Sequence, residues 1–204
     1  TPYKLLKGIE KKEISYTEDQ KNAINVICRR IDENKKKTIL LHGVTGSGKT
    51  EVYISAIRHA LSENKRALVL VPEISLTPQL YSVFYANFGS DIAVMHSGLS
   101  AGEKYDEWRR IISGEAKIVI GARSAVFMPV KDLGIIIIDE EHEQSYRADN
   151  HPAYHAADIA RWRSALNSCV LVLSSATPRI ESFARAQIEM YELVSMPNRV
   201  RGLG

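Results

Sequence analysis

Cysteine is nearly missing from this chain. Cys28 and Cys169 are the only two in 204 residues, far apart and with no second thiol or clustered histidine beside either. That spacing excludes a disulfide framework, argues against a thiolate zinc site and fits a reduced, cytoplasmic compartment. No apolar run approaches the ~20 residues of a membrane-spanning helix. Residues 1–12 are polar and lysine-bearing, without the apolar core of a signal segment, so no membrane role is expected. A dominant charge is lacking too: 27 basic against 24 acidic residues give a net +3, which permits a nucleic-acid partner without requiring one. Internal repeats and low-complexity tracts are absent. What remains, 45% hydrophobic and 25% charged residues, is the composition of a globular domain with a substantial core. The chain begins at Thr1 rather than methionine and so reads as a piece of something larger.

One stretch organises the rest: Gly43-Val44-Thr45-Gly46-Ser47-Gly48-Lys49-Thr50, after the apolar run 38–41. Gly, four residues, then Gly-Lys-Thr between a strand and a helix is the pattern of a phosphate-binding loop. Its glycines let successive N–H groups turn inward, and the following helix adds unpaired N–H groups and the positive end of its dipole. Lys49 can then reach the β- and γ-phosphates, and the Thr50 hydroxyl suits Mg²⁺.

Around this loop, aliphatic runs alternate with helical patterns. Thr17 to Gln20 has the capping-box form, repeated from Ser100 to Glu103, and Thr77-Pro78 and Thr177-Pro178 each suit a helix start. Tyr105, Trp108, Ile111 and Ile112 continue a helical stripe, and residues 155–166 can form another helix. Residues 67–71, 92–95, 118–120, 135–138 and 170–173 are short, β-branched-rich and apolar throughout. Such strands are covered on both faces, so an α/β fold with a mostly parallel sheet and helices on both sides is expected.

Hydrolysis needs more than a phosphate loop. Asp139-Glu140-Glu141-His142 follows Ile135 to Ile138 directly, so the acids emerge from the end of a buried strand. Asp139 is assigned to Mg²⁺ and Glu140 to orienting and deprotonating the attacking water. A lone histidine such as His142 is more often structural than catalytic. Ser175 and Thr177 either approach Asp139 and His142 or cap a helix, and Gln20 either completes its capping box or reads adenine through its amide.

The order of these pieces, with Leu70-Val71-Pro72-Glu73, His96-Ser97-Gly98-Leu99-Ser100 and Ile120-Gly121-Ala122-Arg123-Ser124 between them, resembles the first RecA-like lobe of a superfamily 2 helicase. The finer wording is similar to the PriA family of replication-restart (primosomal) DNA helicases, across residues 17–199. The resemblance implies a RecA-like P-loop NTPase lobe using ATP and Mg²⁺, with 3′-to-5′ movement on single-stranded DNA. It implies forked DNA, the primosome and single-strand-binding proteins as partners, and a bacterial cytoplasmic, nucleoid-associated location. It favours adenine for Gln20 and coupling of nucleotide state to DNA for His142, Ser175 and Thr177. Pro72, Glu73, Gly121, Arg123 and Ser124 fall on strand-tracking motifs, Arg123 contacting a phosphate or forming a structural ion pair. Residues 146–162 resemble an aromatic-rich loop that senses single strands, with Tyr146, Tyr154 and His155 offering flat faces; Trp162 is expected in the core. Ser174 stands where glycine is usual.

By the same resemblance, residues 1–16 are a linker or arm and 200–204 begin the connection to a second helicase lobe acting in cis. Zinc belongs only to parts not in this chain, and the lobe alone should be nearly inactive. Two rivals are another superfamily 2 translocase of RecG type and a nucleotide-dependent scaffold without motor activity.

Overall fold

The computed structural model describes residues 15–149 and 151–200. Most of the expected arm and all of 200–204 except Val200 lie outside them. Thr17 caps α1 (Glu18–Asp32) in a complete capping box with Gln20. There follow β1 (Lys37–Gly43), α2 (Lys49–Ser62), β2 (Arg66–Leu70), α3 (Pro78–Phe88), β3 (Ile92–Met95), α4 (Ala101–Ser113), β4 (Ile118–Gly121) and β5 (Leu133–Ile138). A short hairpin of β6 (Arg147–Ala148) and β7 (Tyr154–His155) then leads to α5 (Ala156–Leu166), β8 (Val170–Ser175), α6 (Ile180–Gln187) and β9 (Glu192–Met196).

Seven strands form one sheet in the order β3-β4-β2-β5-β8-β1-β9, and every pairing in it is parallel. Side chains alternate across a strand, so successive isoleucines of β5 part company. Ile135 and Ile137 join Ile39, Leu41, Val69 and Val172 beneath α1, α2 and α3. Ile136 and Ile138 join Leu40, Leu68 and Leu173 against Ile111 of α4, Ala156 and Ala160 of α5 and Ala186 of α6. Both faces are therefore dry, as the uninterrupted aliphatic runs require.

Three expectations need correction. Tyr105 and Trp108 are not core: they are 58% and 41% exposed and stack on each other with ring centroids 6.1 Å apart. The buried face of α4 is instead Glu107 and Ile111. β3 is an edge strand, and the Glu107 carboxylate accepts the Val94 N–H at 3.2 Å while pairing with Arg110 at 3.1 Å; blunting an open edge needs a polar group there. Trp162 is 66% exposed, because small Ala156, Ala160 and Ser164 form the inward face of α5. Thr177-Pro178 does not cap α6, which begins two residues later behind Arg179. β9 was not anticipated: only Val194 and Met196 of its five residues are buried, too weak an alternation to stand out.

Glu107→Ala should leave the Val94 N–H without its acceptor and lower stability by about 1–3 kcal/mol, seen as a lower urea midpoint with an unchanged m-value.

Candidate functional site: a phosphate loop facing a buried acid

The loop leaves β1 at Gly43 and enters α2 at Lys49. Gly46 and Gly48 have φ of +80° and +79°, a region that side chains avoid. Space excludes them as well: a Cβ on Gly48 would lie 2.2 Å from the Gln20 amide nitrogen, and one on Gly43 would lie 2.9 Å from Ser47 Oγ. β9 and the chain after it buttress the loop, through Val44 N–H to the Met196 carbonyl at 3.2 Å and Val200 N–H to the Gly46 carbonyl at 2.9 Å. Thr45 is exposed and Thr50 half-buried at the start of α2. Gln20 is 2% exposed. Its oxygen accepts the Thr17 N–H at 2.8 Å, and its nitrogen donates to the Ser47 and Gly48 carbonyls at 3.4 Å each. The capping box thus does double duty, fastening α1 to the loop. The Lys49 ammonium donates to the Gly43 carbonyl at 2.9 Å and lies 3.5 Å from the Glu140 carboxylate.

Asp139 is the first residue past β5, and its N–H reaches the Leu70 carbonyl at 2.9 Å. Burial holds its carboxyl above the usual carboxylate range; the Tyr53 hydrogen bond pulls it down, the Glu140 charge pushes it up and Lys49 pulls it down. Glu140 has φ +45°, a left-handed conformation costing a non-glycine residue about 1–3 kcal/mol. The turn is held by the Glu140 N–H on Asp139 Oδ1 at 3.0 Å and the Glu141 N–H on the Ser174 carbonyl at 2.9 Å. This kink swings the Glu140 side chain to Lys49, while His142 Nδ1 meets Ser175 Oγ at 2.8 Å and lies 3.6 Å from Glu140. Ser175 Oγ also accepts the Thr177 N–H at 2.9 Å.

The other predicted residues divide into two places. Glu73, Arg123 and Ser124 line a cavity of about 230 Å³ with Ser97, Ala122 and Ser145. Pro72 is buried at its edge. Gly121 lets β4 pass the β3 end, where a Cβ would sit 2.3 Å from the Met95 carbonyl. Arg123 makes no ion pair with a described residue; it donates to the Ser145 carbonyl at 3.3 Å and to that of Arg147, with its guanidinium 5.9 Å from the Tyr154 ring centre. Tyr146 cannot offer a face to a base, because it is fully buried, with its hydroxyl on the Asp139 carbonyl at 2.7 Å. Tyr154 is half-buried, edge-on to Phe127 at 5.0 Å. His155 caps α5 through Nδ1 and meets Arg179 at Nε2, 2.9 Å away.

The DEAD/DEAH box helicase pattern matches residues 17–186, from the cap of α1 into α6. The chain belongs to the DEAD/DEAH box helicase family. It is 55% identical over 184 residues to replication restart protein PriA of Bacillus subtilis, covering 90% of this chain and 23% of that protein. It is also 55% identical over 146 residues to PriA of Synechocystis, covering 71% and 18%. The chain thus spans less than a quarter of these curated relatives, in a stretch similar to a first helicase lobe. A solved structure of RecG bound to a three-way DNA junction shares the fold, with a TM-score of 0.68 at 24% identity, over 94% of this chain and 25% of that one.

Helicases of this DEAD/DEAH family use nucleotide and Mg²⁺, and residues of the loop suit such a ligand. Ser47 Oγ is buried without a hydrogen-bond partner among the described residues, and the glycines hold open a cradle that Cβ atoms would fill. Two residues of this helicase lobe escaped sequence reasoning. Tyr53 of α2 is 3% exposed. Its hydroxyl joins Asp139 Oδ1 at 2.7 Å and Ser174 Oγ, so Ser174 supplies a second partner. Burial, then the Asp139 charge, holds the phenol well above its ordinary pKa, keeping it a donor. Glu141 is 1% exposed; its carboxylate accepts the Arg179 N–H at 2.8 Å and the Ser182 hydroxyl at 3.1 Å, capping α6 from 38 residues away. Tyr53, one turn after Lys49, carries no signal of its own in the sequence, because its neighbours Val52 and Ile54 are apolar.

Asp139→Asn should raise thermal stability at pH 7 by about 1 kcal/mol, typical for relief of functional-site tension. The folded carboxyl titrates above its unfolded value, so the wild type loses stability as pH rises through the folded pKa. The advantage of the asparagine should therefore vanish as pH falls towards ~4, near the unfolded aspartate pKa; melting curves across pH check this. Tyr53→Phe should cost about 1–2 kcal/mol by stranding buried acceptors, measured by denaturant titration.

Proposed function

We propose that this chain is the ATP-binding lobe of a replication-restart DNA helicase, with hydrolysis coupled to 3′-to-5′ movement on single-stranded DNA. The observation carrying this reading is the meeting of Lys49 with Glu140 at 3.5 Å, which joins the phosphate loop to the acid pair at one point. Gly43, Thr45, Gly46, Ser47, Gly48 and Lys49 hold the phosphates, and Thr50 with Asp139 holds Mg²⁺. When bound, ATP would supply the phosphoryl group and Mg²⁺ would offset negative charge on its phosphates. Glu140 orients the attacking water and accepts its proton, and Lys49 meets negative charge on the outer phosphates. Gln20 reads adenine, and because its amide also donates to the Ser47 and Gly48 carbonyls, base recognition and loop position are linked.

The His142–Ser175–Thr177 chain passes the nucleotide state towards the strand, which Pro72, Glu73, Gly121, Arg123 and Ser124 track. Tyr146 acts by coupling, through its grip on the Asp139 backbone, and not by stacking. Residues 17–199 form this lobe. A second lobe in cis closes the cleft and brings the arginines that stabilise the γ-phosphate, within a primosome on forked DNA.

MgATP titration by calorimetry should show at least tenfold weaker binding for Lys49→Ala and nearly unchanged binding for Glu140→Gln. Unaltered affinity in Lys49→Ala would sink the nucleotide assignment. Rapid DNA-stimulated turnover by this chain alone would sink the need for a second lobe.

A further inference from the structure

The hairpin β6–β7, α5 and α6 enclose a cavity of about 370 Å³ that the nucleotide site does not use, lined in part by Arg147, Arg161, Arg179 and Arg185. A second cavity, about 420 Å³, shares Arg161 and Arg185 with it and continues to Lys36 and Lys37. Arg179 follows the C-terminal end of β8, whereas Lys37 pairs with Val170 at its start. The two cavities together therefore run the length of that strand, on the order of 20 Å, from its carboxyl end to its amino end. The Arg123 cavity shares none of these lining residues, although Arg123 itself touches Arg147 and Tyr154 at the rim of the first cavity.

Charge in this groove is only partly compensated. Arg161 and Arg185 both donate to the Tyr191 hydroxyl, at 3.0 and 3.1 Å, placing the two guanidinium nitrogens within about 6 Å of each other, where like charges repel. Among the described residues, Arg185, Lys36 and Lys37 have no carboxylate within ion-pair distance. Asp158 and Glu181 also line the first cavity and pair with Arg161 and Arg179, but stand outward, at 61% and 63% side-chain exposure against 26% and 36% for those arginines; Arg147 pairs with exposed Asp149. Glu141, the one buried acid in the cavity, is already committed to capping α6. His155 adds no further charge: burial, then Arg179, Arg161 and Arg147, lower its pKa to about 4.

We propose that this α5–α6 groove is a second nucleic-acid contact, binding a phosphodiester backbone through Arg179, Arg161, Arg185 and Lys36–Lys37, separately from the Arg123 cavity. A row of cations along an open groove matches a chain of phosphates better than a single compact anion, and planar guanidinium forks suit phosphate oxygens. The choice of nucleic acid as occupant rests on the helicase reading above; the need for an anion does not.

The test is fluorescence anisotropy with labelled 20-nucleotide single strands and 20-base-pair duplexes, at 50 to 200 mM salt, using the whole chain. Arg161→Gln/Arg185→Gln keeps side-chain amide donors near Tyr191 but removes two charges. It should weaken binding of at least one probe about tenfold and reduce the salt slope by about 2, with the melting temperature nearly unchanged. Lys36→Gln/Lys37→Gln, at the far and more exposed end, should act in the same direction and serves if the arginine variant folds poorly. Unchanged affinity and slope for both probes in both variants would overturn the proposal. So would equal loss of polyglutamate binding with oligonucleotide binding intact, which would make the groove a site for acidic peptide. If Arg123→Gln weakens binding and the groove variants do not, the groove proposal fails while the helicase reading stands. If the wild-type chain binds neither probe at 50 mM salt the groove proposal also fails, and the Lys49→Ala titration decides the nucleotide reading independently.

Discussion

Burying both faces of a seven-stranded parallel sheet leaves only strand ends and the loops beyond them for polar chemistry. In this chain β1 ends in the phosphate loop, β5 in Asp139 and β8 in Ser174–Ser175, and β8 lies between the other two. Parallel register brings all three ends to the same side of the sheet, at the carboxyl ends of its strands, because Leu41 pairs with Ser174 and Ile138 with Leu173. The position of the site is thus a consequence of sheet order, in keeping with the tendency of open α/β sheets to bind ligands at the carboxyl ends of strands.

The same constraint explains the tension stored there. An acid emerging from a dry strand is desolvated, and Asp139 titrates upward for that reason first. Glu140 adds a second negative charge in a disfavoured backbone conformation, and Lys49 is the nearby cation. Two buried tyrosine hydroxyls restrain Asp139, Tyr53 on its carboxylate and Tyr146 on its carbonyl. Such an arrangement gives up stability for placement: the desolvated carboxylate is held in one orientation by the two tyrosines.

From this point contacts radiate outward. Glu141 ties the acidic turn to α6, and His142 ties it to Ser175 and thereby to the Thr177 backbone. α6 also carries Arg185, while Arg179, just before it, touches His155 at the base of the hairpin. The acidic turn is thus joined by hydrogen bonds to the start of α6 and, through Arg179, to the hairpin. The chain of contacts from Lys49 through Glu140 and Glu141 to α6 is short.

Much of this was legible from residue order because it depends on local chemistry. Gly-x-x-x-x-Gly-Lys-Thr needs its own backbone to turn, Thr17 and Ser100 cap helices through residues three positions on, and four successive isoleucines can only lie in a strand dry on both sides. The sequence by itself determined the phosphate loop, most of the sheet's strands, four of the helix starts and the acidic strand end. Tertiary structure alone decided which face each amphipathic helix turned inward and which distant partners met. It buried Tyr146 and exposed Trp162, sent Glu107 to an edge-strand N–H, and set Tyr53 on Asp139 and Glu141 on α6. The physical reason is that these groups satisfy hydrogen bonds and fill space created by elements tens of residues away, and spacing along the chain carries no record of such pairings.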